Sequence, residues 1–364
     1  MKIKDITSEL EKIAPLSLQE SYDNAGLIVG NGDMEVSKIL ISLDVTEQVI
    51  EEAKSKGCNL IISHHPVIFK GLKKITGGNY VERIIIASIK NDIALYAIHT
   101  NLDNVDQGVN SILCDKFGLV NKRILSPKRE LLKKLVTFCP VDFANKVREA
   151  VFAAGAGKIG NYDNCSYNVA GTGSFRGSEE TNPFVGEKGK LHFEEEIRIE
   201  TVFPVYKERE IITSLLNAHP YEEVAYDIYP LENEFLLVGA GMTGELKIET
   251  DEVEFLNRVK KATGVGCVRH TKLTGRKIKK IAVCGGSGSF LIGEALRLDA
   301  DIYLTGDIKY HEFFDAEGKM VIADIGHYES EQFAKDLIYS VLIKKFPNFA
   351  VLISEVNTNV VNYL

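Results

Sequence analysis

The stretch "NLIISHHPVIF", residues 59–69, places two adjacent histidines and a proline at the end of an apolar run. The run before the histidines is typical of a strand that is buried on both faces. Pro66 biases His65 towards an extended backbone, so the pair His64 and His65 should follow the strand without entering a helix. Such a pair marks either an exposed strand end or a metal site, and the surrounding sequence must distinguish the two.

Around this stretch, the first third of the chain alternates apolar strands with amphipathic helices. Strands are predicted at 38–45, 59–63 and 93–100, and helices at 46–57, 80–91 and 108–118. Apolar runs separated by helices predict a parallel sheet with helices packed on its faces.

The last third repeats this order. Strands are predicted at 279–286, 301–308 and 320–327, and helices at 289–300, 311–318 and 330–346. "NLIISHHP" aligns with "DIYLTGDI", and "ALYAIHTNLD" aligns with "MVIADIGHYE". We infer two similar α/β halves from a duplication, although two α/β segments can also look alike through fold physics alone.

Residues 131–233 have a different pattern of predicted elements, with the order strand, helix, strand, strand, helix, strand. This order predicts a ferredoxin-like α+β domain. We therefore expect three parts: a first α/β half at 1–130, the inserted domain at 131–233, and a second α/β half at 234–364.

Composition narrows the class of protein. The net charge of −8, with no cluster of Lys or Arg, argues against a general nucleic-acid binder or a binder of anionic membranes. No apolar stretch reaches the ~18 residues of a membrane span, and the first residues predict an amphipathic helix instead of a signal peptide. The six cysteines include no C-x-x-C pair, which favours reduced thiols. We expect a soluble cytoplasmic protein.

Polar side chains accumulate where the predicted strands end, at the edge where ligands of parallel sheets gather. They are His64, His65, His99, Asp103, Asp307, His311, His327 and Glu331. Imidazoles and carboxylates without thiolates suit zinc, iron, manganese or cobalt in an open site. A lone histidine at a strand end is usually a satisfied polar residue, but histidines at four strand ends, with carboxylates beside them, favour a metal site.

Five motifs in this order resemble the Nif-three-like family, the GTP cyclohydrolase I type-two homologs. The motifs are "SYDNAGLIVG", "ISHHPVIF", "YAIHTNLDN", "TGDIKYHEFFDA" and "GHYESE". Inside the insert, "GTGSFRG", "NPFVGEKG" and "HPYEEVAYDIYPL" resemble the PII/CutA-like domain of the longer bacterial members. One departure is Tyr22, where family members usually have Trp.

The resemblance implies two divalent metal ions per chain, zinc, iron or manganese, held side by side between the halves. Carried over residue by residue, His64 and Asp103 complete one site, His65 and His327 complete the other, and Glu331 bridges the two ions. The resemblance also implies a homohexamer. An open site with two metals implies catalysis more than scaffolding.

The predicted function is a metal-dependent hydrolase acting on a small molecule, either nucleotide-like or a phosphoester, in which His99, Asp307 or His311 moves the proton. Asp307 and His311 have alternative roles, as residues behind the ligands or as the polar first turn of a short helix. The family name suggests GTP ring opening, but no motif that reads guanine is present. The competing hypothesis is a non-catalytic metal-binding protein with a regulatory or scaffold role.

Two further features have two explanations each. One is the group of Asp23, Asn24 and Asp44. These residues either line the cleft at the metal site or stabilise turns and helix caps. The loop "GGSGS", residues 285–289, is a tight strand–helix turn or, less convincingly, a phosphate loop.

Overall fold

The first third of the chain forms the alternating strands and helices that its apolar pattern predicts. The computed structural model describes residues 1–364, and no helix in it is long and apolar enough to cross a membrane. The elements in this part are α1 (Ile3–Ile13), β1 (Gly26–Val29), β2 (Ile39–Ser42), α2 (Glu47–Lys56), β3 (Leu60–Ser63), α3 (Tyr80–Lys90), β4 (Ala94–Ala97), α4 (Thr100–Asp103), α5 (Val109–Phe117) and β5 (Leu119–Lys128).

Local signals account for the helix boundaries in this part. Helix α2 begins after Thr46, whose side chain accepts a hydrogen bond from the Val49 amide, and it ends at Gly57, which has a φ of 68°. Helix α3 begins after Asn79, whose side chain accepts from the Glu82 amide. Every residue of β2, β3 and β4 is buried, as expected for parallel strands covered on both faces.

The middle of the chain forms an antiparallel sheet with two helices. Its elements are β6 (Leu132–Pro140), α6 (Ala144–Ala153), β7 (Tyr167–Phe175), β8 (His192–Pro204), α7 (Glu208–Ala218) and β9 (Tyr226–Leu231). The strand order is β7-β8-β6-β9. Alternate residues of β6 and β8, such as Leu135 and Ile199, are buried together with Val147 and Leu215 of the helices.

The last third again forms strands and helices. Its elements are β10 (Phe235–Thr250), α8 (Glu252–Thr263), β11 (Arg269–His270), β12 (Ile278–Ser287), α9 (Ile292–Arg297), β13 (Ile302–Gly306), β14 (Val321–Asp324), α10 (His327–Glu331), α11 (Ala334–Lys345) and β15 (Val351–Ile353). The short helix predicted at 311–318 is a 3₁₀-helix at Tyr310–Ala316. The long helix predicted at 330–346 is broken, which leaves α10 as a separate short helix.

The first and last thirds together form two sheets with matching centres. One sheet has the order β1-β4-β3-β2-β15, and the other has the order β11-β14-β13-β12-β10-β5. In each, three central strands are parallel and a short antiparallel strand pairs with the third of them, β1 with β4 and β11 with β14. This correspondence supports the inferred duplication.

Two strands cross between the predicted halves. Strand β15, from the end of the chain, pairs in parallel with β2 of the first sheet, and β5 lies at the edge of the second sheet. The crossing strands cover edges whose backbone groups would otherwise lack partners. By its internal contacts the chain divides into two compact units, residues 1–127 with 237–364, and residues 128–236. The boundaries at 130 and 233 stay predictions.

The ends of the parallel strands position the polar residues. His64 follows β3, His99 follows β4, Asp307 follows β13, and His327 follows β14 at the start of α10. All of these residues belong to the unit formed by residues 1–127 and 237–364.

Candidate metal centre

The first group of potential ligands is centred on His64, which is fully buried. Its Nδ1 lies 2.8 Å from the carbonyl oxygen of Ile98, so Nδ1–H donates to that oxygen and Nε2 presents its lone pair. Nε2 lies 3.5 Å from Oδ1 of Asp103 and 3.8 Å from Oε1 of Glu331. Neither His64 Nε2 nor Asp103 Oδ1 has a hydrogen-bond partner, although both are buried. Two orphaned acceptors facing each other suit a bound cation.

The second group is centred on the other oxygen of Glu331. Its Oε2 lies 2.9 Å from Nε2 of His65 and 3.0 Å from Nε2 of His327. The two Nε2 atoms lie 3.3 Å apart. Each imidazole is held from behind by a carboxylate: Asp44 lies 2.7 Å from Nδ1 of His65, and Asp307 lies 2.7 Å from Nδ1 of His327.

This arrangement of histidines suits a metal ion. When each Nδ1–H donates to its carboxylate, both Nε2 lone pairs point at one another and at Glu331. Such a cluster of acceptors needs a proton or a cation at its centre. His65, His327 and Glu331 form one group that could hold an ion, and His64, Asp103 and Glu331 form another. The residues present therefore fit a metal.

Glu331 is positioned by its helix and by a glycine that faces it. It is buried on α10, four residues after His327, so both side chains project from the same face. A Cβ at Gly286 would lie 2.2 Å from Oε1 of Glu331, and Gly286 has a φ of 66°. Only glycine suits this position. The loop "GGSGS" is therefore a tight turn that leaves room for the carboxylate.

The charges of the site shift its pKa values strongly. Burial by itself lowers the pKa of His65, but hydrogen bonds with Asp44 and Glu331 raise it to about 9. In the same way, Asp307 and Glu331 outweigh burial and raise the pKa of His327 to about 11. Burial and the charge of Glu331 raise the pKa of Asp103 to about 8. Despite its burial, Glu331 has a pKa far below its usual range because three histidines contact it.

His99 lies beside the first group and is held by Asp23. Its Nδ1 lies 2.7 Å from Oδ1 of Asp23, whose side chain is completely buried. Burial favours the neutral acid, but hydrogen bonds with His99 and Thr100 lower the pKa of Asp23 to about 2. His99 also contributes a ring nitrogen within 4.8 Å of those of His64 and His65. Asp23 and the half-buried Asp44 are thus hydrogen-bond partners of histidines, beyond any turn role.

Of the two other candidate proton carriers, Asp307 lies at the cluster of histidines and His311 does not. Asp307 adopts a left-handed backbone, with a φ of 56°, and its carboxylate contacts His327. His311 lies on the exposed 3₁₀-helix, packed against Tyr310 and Phe314, and it does not line the cavity at the metal centre. The structure therefore does not bring His311 to the ligands, because the tight 3₁₀ turn after Asp307 carries it away. Its role in proton transfer stays a prediction.

The potential ligands open into a cavity of about 920 Å³. Its wall includes aromatic residues from several loops, and its one arginine, Arg269, contacts Asp324 and donates to the carbonyl of Ile308 at 2.9 Å. The size is within the usual range for a small-molecule site.

The last residues of the chain also line this cavity, which sequence analysis missed. The hydroxyl of Thr358 donates to Oδ2 of Asp44 at 2.6 Å, so the carboxylate behind His65 is itself held. Asn359 donates to Oε1 of Glu329 at 3.0 Å. The contact between Thr358 and Asp44 joins residues 314 positions apart, and no local pattern of apolar residues predicts it.

Comparisons with known proteins agree with the sequence motifs. Residues 1–360 match the family Duf34/NIF3 (NGG1p interacting factor 3). The "GTP cyclohydrolase 1 type 2 homolog" of Halalkalibacterium halodurans is 41% identical over 355 residues, covering 96% of this chain and 95% of that protein. The protein of the same name from Bacillus subtilis is 39% identical over 368 residues, covering 99% of this chain and 98% of that protein.

A solved structure is similar over the same extent. The crystal structure of a Bacillus cereus protein related to NIF3 has a TM-score of 0.88 and 39% sequence identity, covering 100% of this chain and 99% of that chain. The predicted family resemblance is confirmed, because the match spans nearly the whole sequence and both sheets. The chain belongs to the Duf34/NIF3 family.

Proposed function

We propose that this protein is a metal-dependent hydrolase with a dinuclear site, acting on a nucleotide-like or phosphoester substrate. The observation that carries the proposal is the position of Glu331. Its Oε1 faces His64 and its Oε2 faces His65 and His327, so one carboxylate serves two groups of ligands. The name GTP cyclohydrolase 1 type 2 homolog, which relatives carry, is compatible with hydrolytic chemistry.

In this proposal His64, Asp103 and Glu331 hold one ion, and His65, His327 and Glu331 hold the other. The donor set of imidazoles and carboxylates suits zinc, iron or manganese. Two divalent ions bound there supply Lewis acidity and lower the pKa of a water molecule. With three protein side chains holding each ion, the site would leave room for a substrate to bind.

The protein's own residues orient and exchange protons around that site. Asp44 and Asp307 fix the imidazoles of His65 and His327 by accepting from their Nδ1–H groups. Asp23 does the same for His99, so Nε2 of His99 presents a lone pair that takes up a proton. His311 has no comparable partner at the cavity, and His99 is therefore the stronger candidate for proton transfer.

The test is hydrolysis by protein loaded separately with zinc, manganese or iron. The substrates are a panel of phosphomonoesters, phosphodiesters and nucleotides. Turnover should appear with at least one metal, vanish in Glu331→Gln and persist in His270→Ala, whose exposed side chain lies outside the cavity. Turnover that survives both chelation and Glu331→Gln would contradict the proposal.

The second candidate function is a non-catalytic metal-binding protein, and one observation favours it. His64, His65 and Asp103 follow strands of the first sheet, whereas His327 and Glu331 follow a strand of the second, so bound ions would tie the two sheets together. Chelation distinguishes the two functions. A structural role predicts unfolding on metal removal, and a catalytic role predicts a folded, inactive protein.

We further infer that residues 128–236 form a ferredoxin-like domain of the PII/CutA kind, inserted between the halves. The order of its elements and the antiparallel sheet β7-β8-β6-β9 support this. We also infer a homohexamer in the cytoplasm. Exposed apolar side chains on the insert, including Tyr167, Val169 and Phe193, support assembly. Six cysteines without disulfides support a reducing compartment.

A further inference from the structure

The cavity at the metal centre is strongly acidic. Seven carboxylates line it, together with one guanidinium and no lysine. The guanidinium, that of Arg269, is already engaged by Asp324 and by the carbonyl of Ile308. Two divalent ions bring four positive charges, so the carboxylates still outnumber all positive charges on the wall. A polyanionic ligand finds a net repulsive field here.

The glycine loop beside the ligands does not supply free amides for a phosphate. The loop Gly285–Ser287 borders the cavity, and its amides are the natural candidates for binding a phosphate. However, the Gly285 amide donates to Oδ1 of Asn110 at 2.9 Å, and the Gly286 amide donates to Oγ of Ser330 at 2.9 Å. Both donors are therefore used inside the protein.

The same cavity carries exposed aromatic rings. Four aromatic side chains on its wall remain more than half exposed: Tyr22, Phe69, Tyr80 and Phe290. Phe69 lies edge-to-face with His99, at 5.8 Å between ring centroids, so one of these rings lies close to the ligands. Large aromatic rings on the wall of a concave site offer stacking surfaces for a planar ligand.

We propose that the substrate of this cavity is a planar aromatic or heteroaromatic compound carrying at most one phosphate group, and that di- and triphosphates are rejected. The inference rests on the proposed function for the reaction itself, and it defines the chemical class of the molecule that reacts. A phosphate monoester carries about −1.5 to −2 charges at pH 7, which two open metal ions can accept. Each further phosphate must lie among carboxylates.

Calorimetric titration of the zinc-loaded protein with guanosine, GMP and GTP, without free magnesium, tests this directly. We expect guanosine or GMP to bind, and GTP to bind at least about tenfold more weakly than GMP, since it adds charge without a protein partner. Binding of GTP as tight as that of GMP would overturn the proposal. Failure of all three to bind would overturn it as well.

Substitution of aromatic residues tests the stacking of the ligand separately from its charge. Tyr22→Leu and Phe290→Leu keep apolar area but remove the ring, and each should weaken GMP binding about tenfold. Tyr162→Leu is the control, because Tyr162 is similarly exposed but belongs to the other unit and does not line the cavity. Equal losses in all three variants would contradict a stacking role.

Adding a positive charge provides a test in the opposite direction. Ser287 lines the cavity, is exposed and makes no hydrogen bond through its side chain. Ser287→Lys should strengthen GTP binding relative to GMP by about twofold to fivefold. No change in that ratio would contradict the assignment of phosphate rejection to the charge of the wall.

The outcomes also separate this inference from the proposed function. Selective binding of guanosine or GMP without hydrolysis of any ester would leave the inference standing and remove the hydrolase proposal. Hydrolysis of glycerol phosphate as fast as of phenyl phosphate would support the hydrolase proposal and remove the inference. The aromatic rings would then have no role in substrate selection.

Discussion

The Nε2 atoms of His65 and His327 lie 3.3 Å apart, although the two residues are separated by 262 positions in the sequence. His65 lies just beyond β3, the middle of the three parallel strands in the first sheet, and His327 lies just beyond β14, the third parallel strand of the second sheet. Glu331 is the one other side chain that lies beside both Nε2 atoms. The meeting of the two sheets thus creates a position that neither sheet provides alone.

Metal content is the first prediction. The protein should bind about two divalent ions per chain, because Glu331 offers one oxygen to each of two groups. Glu331→Gln should lose both ions, whereas Asp103→Asn should mainly empty one site. Elemental analysis of reconstituted, dialysed protein measures this, and a loss of one ion in both variants would show that Glu331 does not bridge.

The second prediction concerns pH in the presence of a chelator. Carboxylates raise the pKa of His65 to about 9 and that of His327 to about 11 in the folded protein, above the ~6.5 of unfolded histidine. The resulting stabilisation is complete below about pH 6.5 and disappears as the pH rises through 9 and above.

Urea unfolding in EDTA should therefore show stability falling by an amount on the order of 1–3 kcal/mol between pH 6.5 and pH 9.5. In zinc-loaded protein the trend should be weaker or reversed, because metal competes with protons for the same nitrogens. The double variant His65→Gln with His327→Gln is the control, and it should lose the pH dependence. A pH dependence that persists in that variant would assign it to other groups.

Gly286 provides the third prediction. In Gly286→Ala the new Cβ would lie 2.2 Å from Oε1 of Glu331, so the carboxylate must move and metal affinity should fall at least about tenfold. Gly264→Ala is a matched control. Gly264 has a similar φ of 73°, but its Cβ would meet nothing within 4 Å, so this variant should cost only about 1 kcal/mol of stability. Isothermal titration with zinc compares the two, and equal affinities would contradict the steric argument.

The fourth prediction tests the tail of the chain. Thr358→Val removes the hydroxyl that donates to Asp44, which in turn orients His65. Loss of such an outer contact typically weakens metal affinity about tenfold to a hundredfold, and only the ion held by His65 should be affected. Thr358→Ser should restore the affinity. If Val and Ser variants bind metal alike, the tail does not support the site.

The fifth prediction is that the insert can be removed without losing the site. The backbone of Gly239 passes close to Ser126 and Pro127, since a Cβ at Gly239 would lie 2.7 Å from Cα of Pro127, so a short Gly/Ser linker should replace residues 128–236. All proposed ligands lie outside the removed segment. We expect a folded protein that binds two ions and keeps its turnover on small substrates, measured by elemental analysis and by the ester panel.

A larger deletion, to residue 239, is the control for the fifth prediction. The Gly239 amide donates to the carbonyl of Asn104 at 2.8 Å, directly after the proposed ligand Asp103. This deletion should lower the affinity for the ion held by His64 and Asp103. If the smaller deletion already abolishes metal binding in a folded protein, the ligand assignment is wrong.

Local patterns in the sequence determined the alternation of strands and helices in both thirds of the chain. Runs such as 60–63 are apolar because parallel strands are buried on both faces, and helix caps such as Thr46 and Gly57 act on their immediate neighbours. The same patterns determined which polar residues end each strand. They missed the long strand β10 and the crossing strands β5 and β15, whose partners lie far along the chain.

Only the tertiary structure decided which of those polar residues meet. It brought His64, His65, Asp103, His327 and Glu331 together, held His65 and His327 from behind with carboxylates, and left His311 on an exposed turn. The physical reason is the sequence distance over which each interaction acts. Periodicity and capping are set by neighbours within a few residues, whereas a ligand's partners are chosen by the packing of two sheets against each other, which depends on the whole chain.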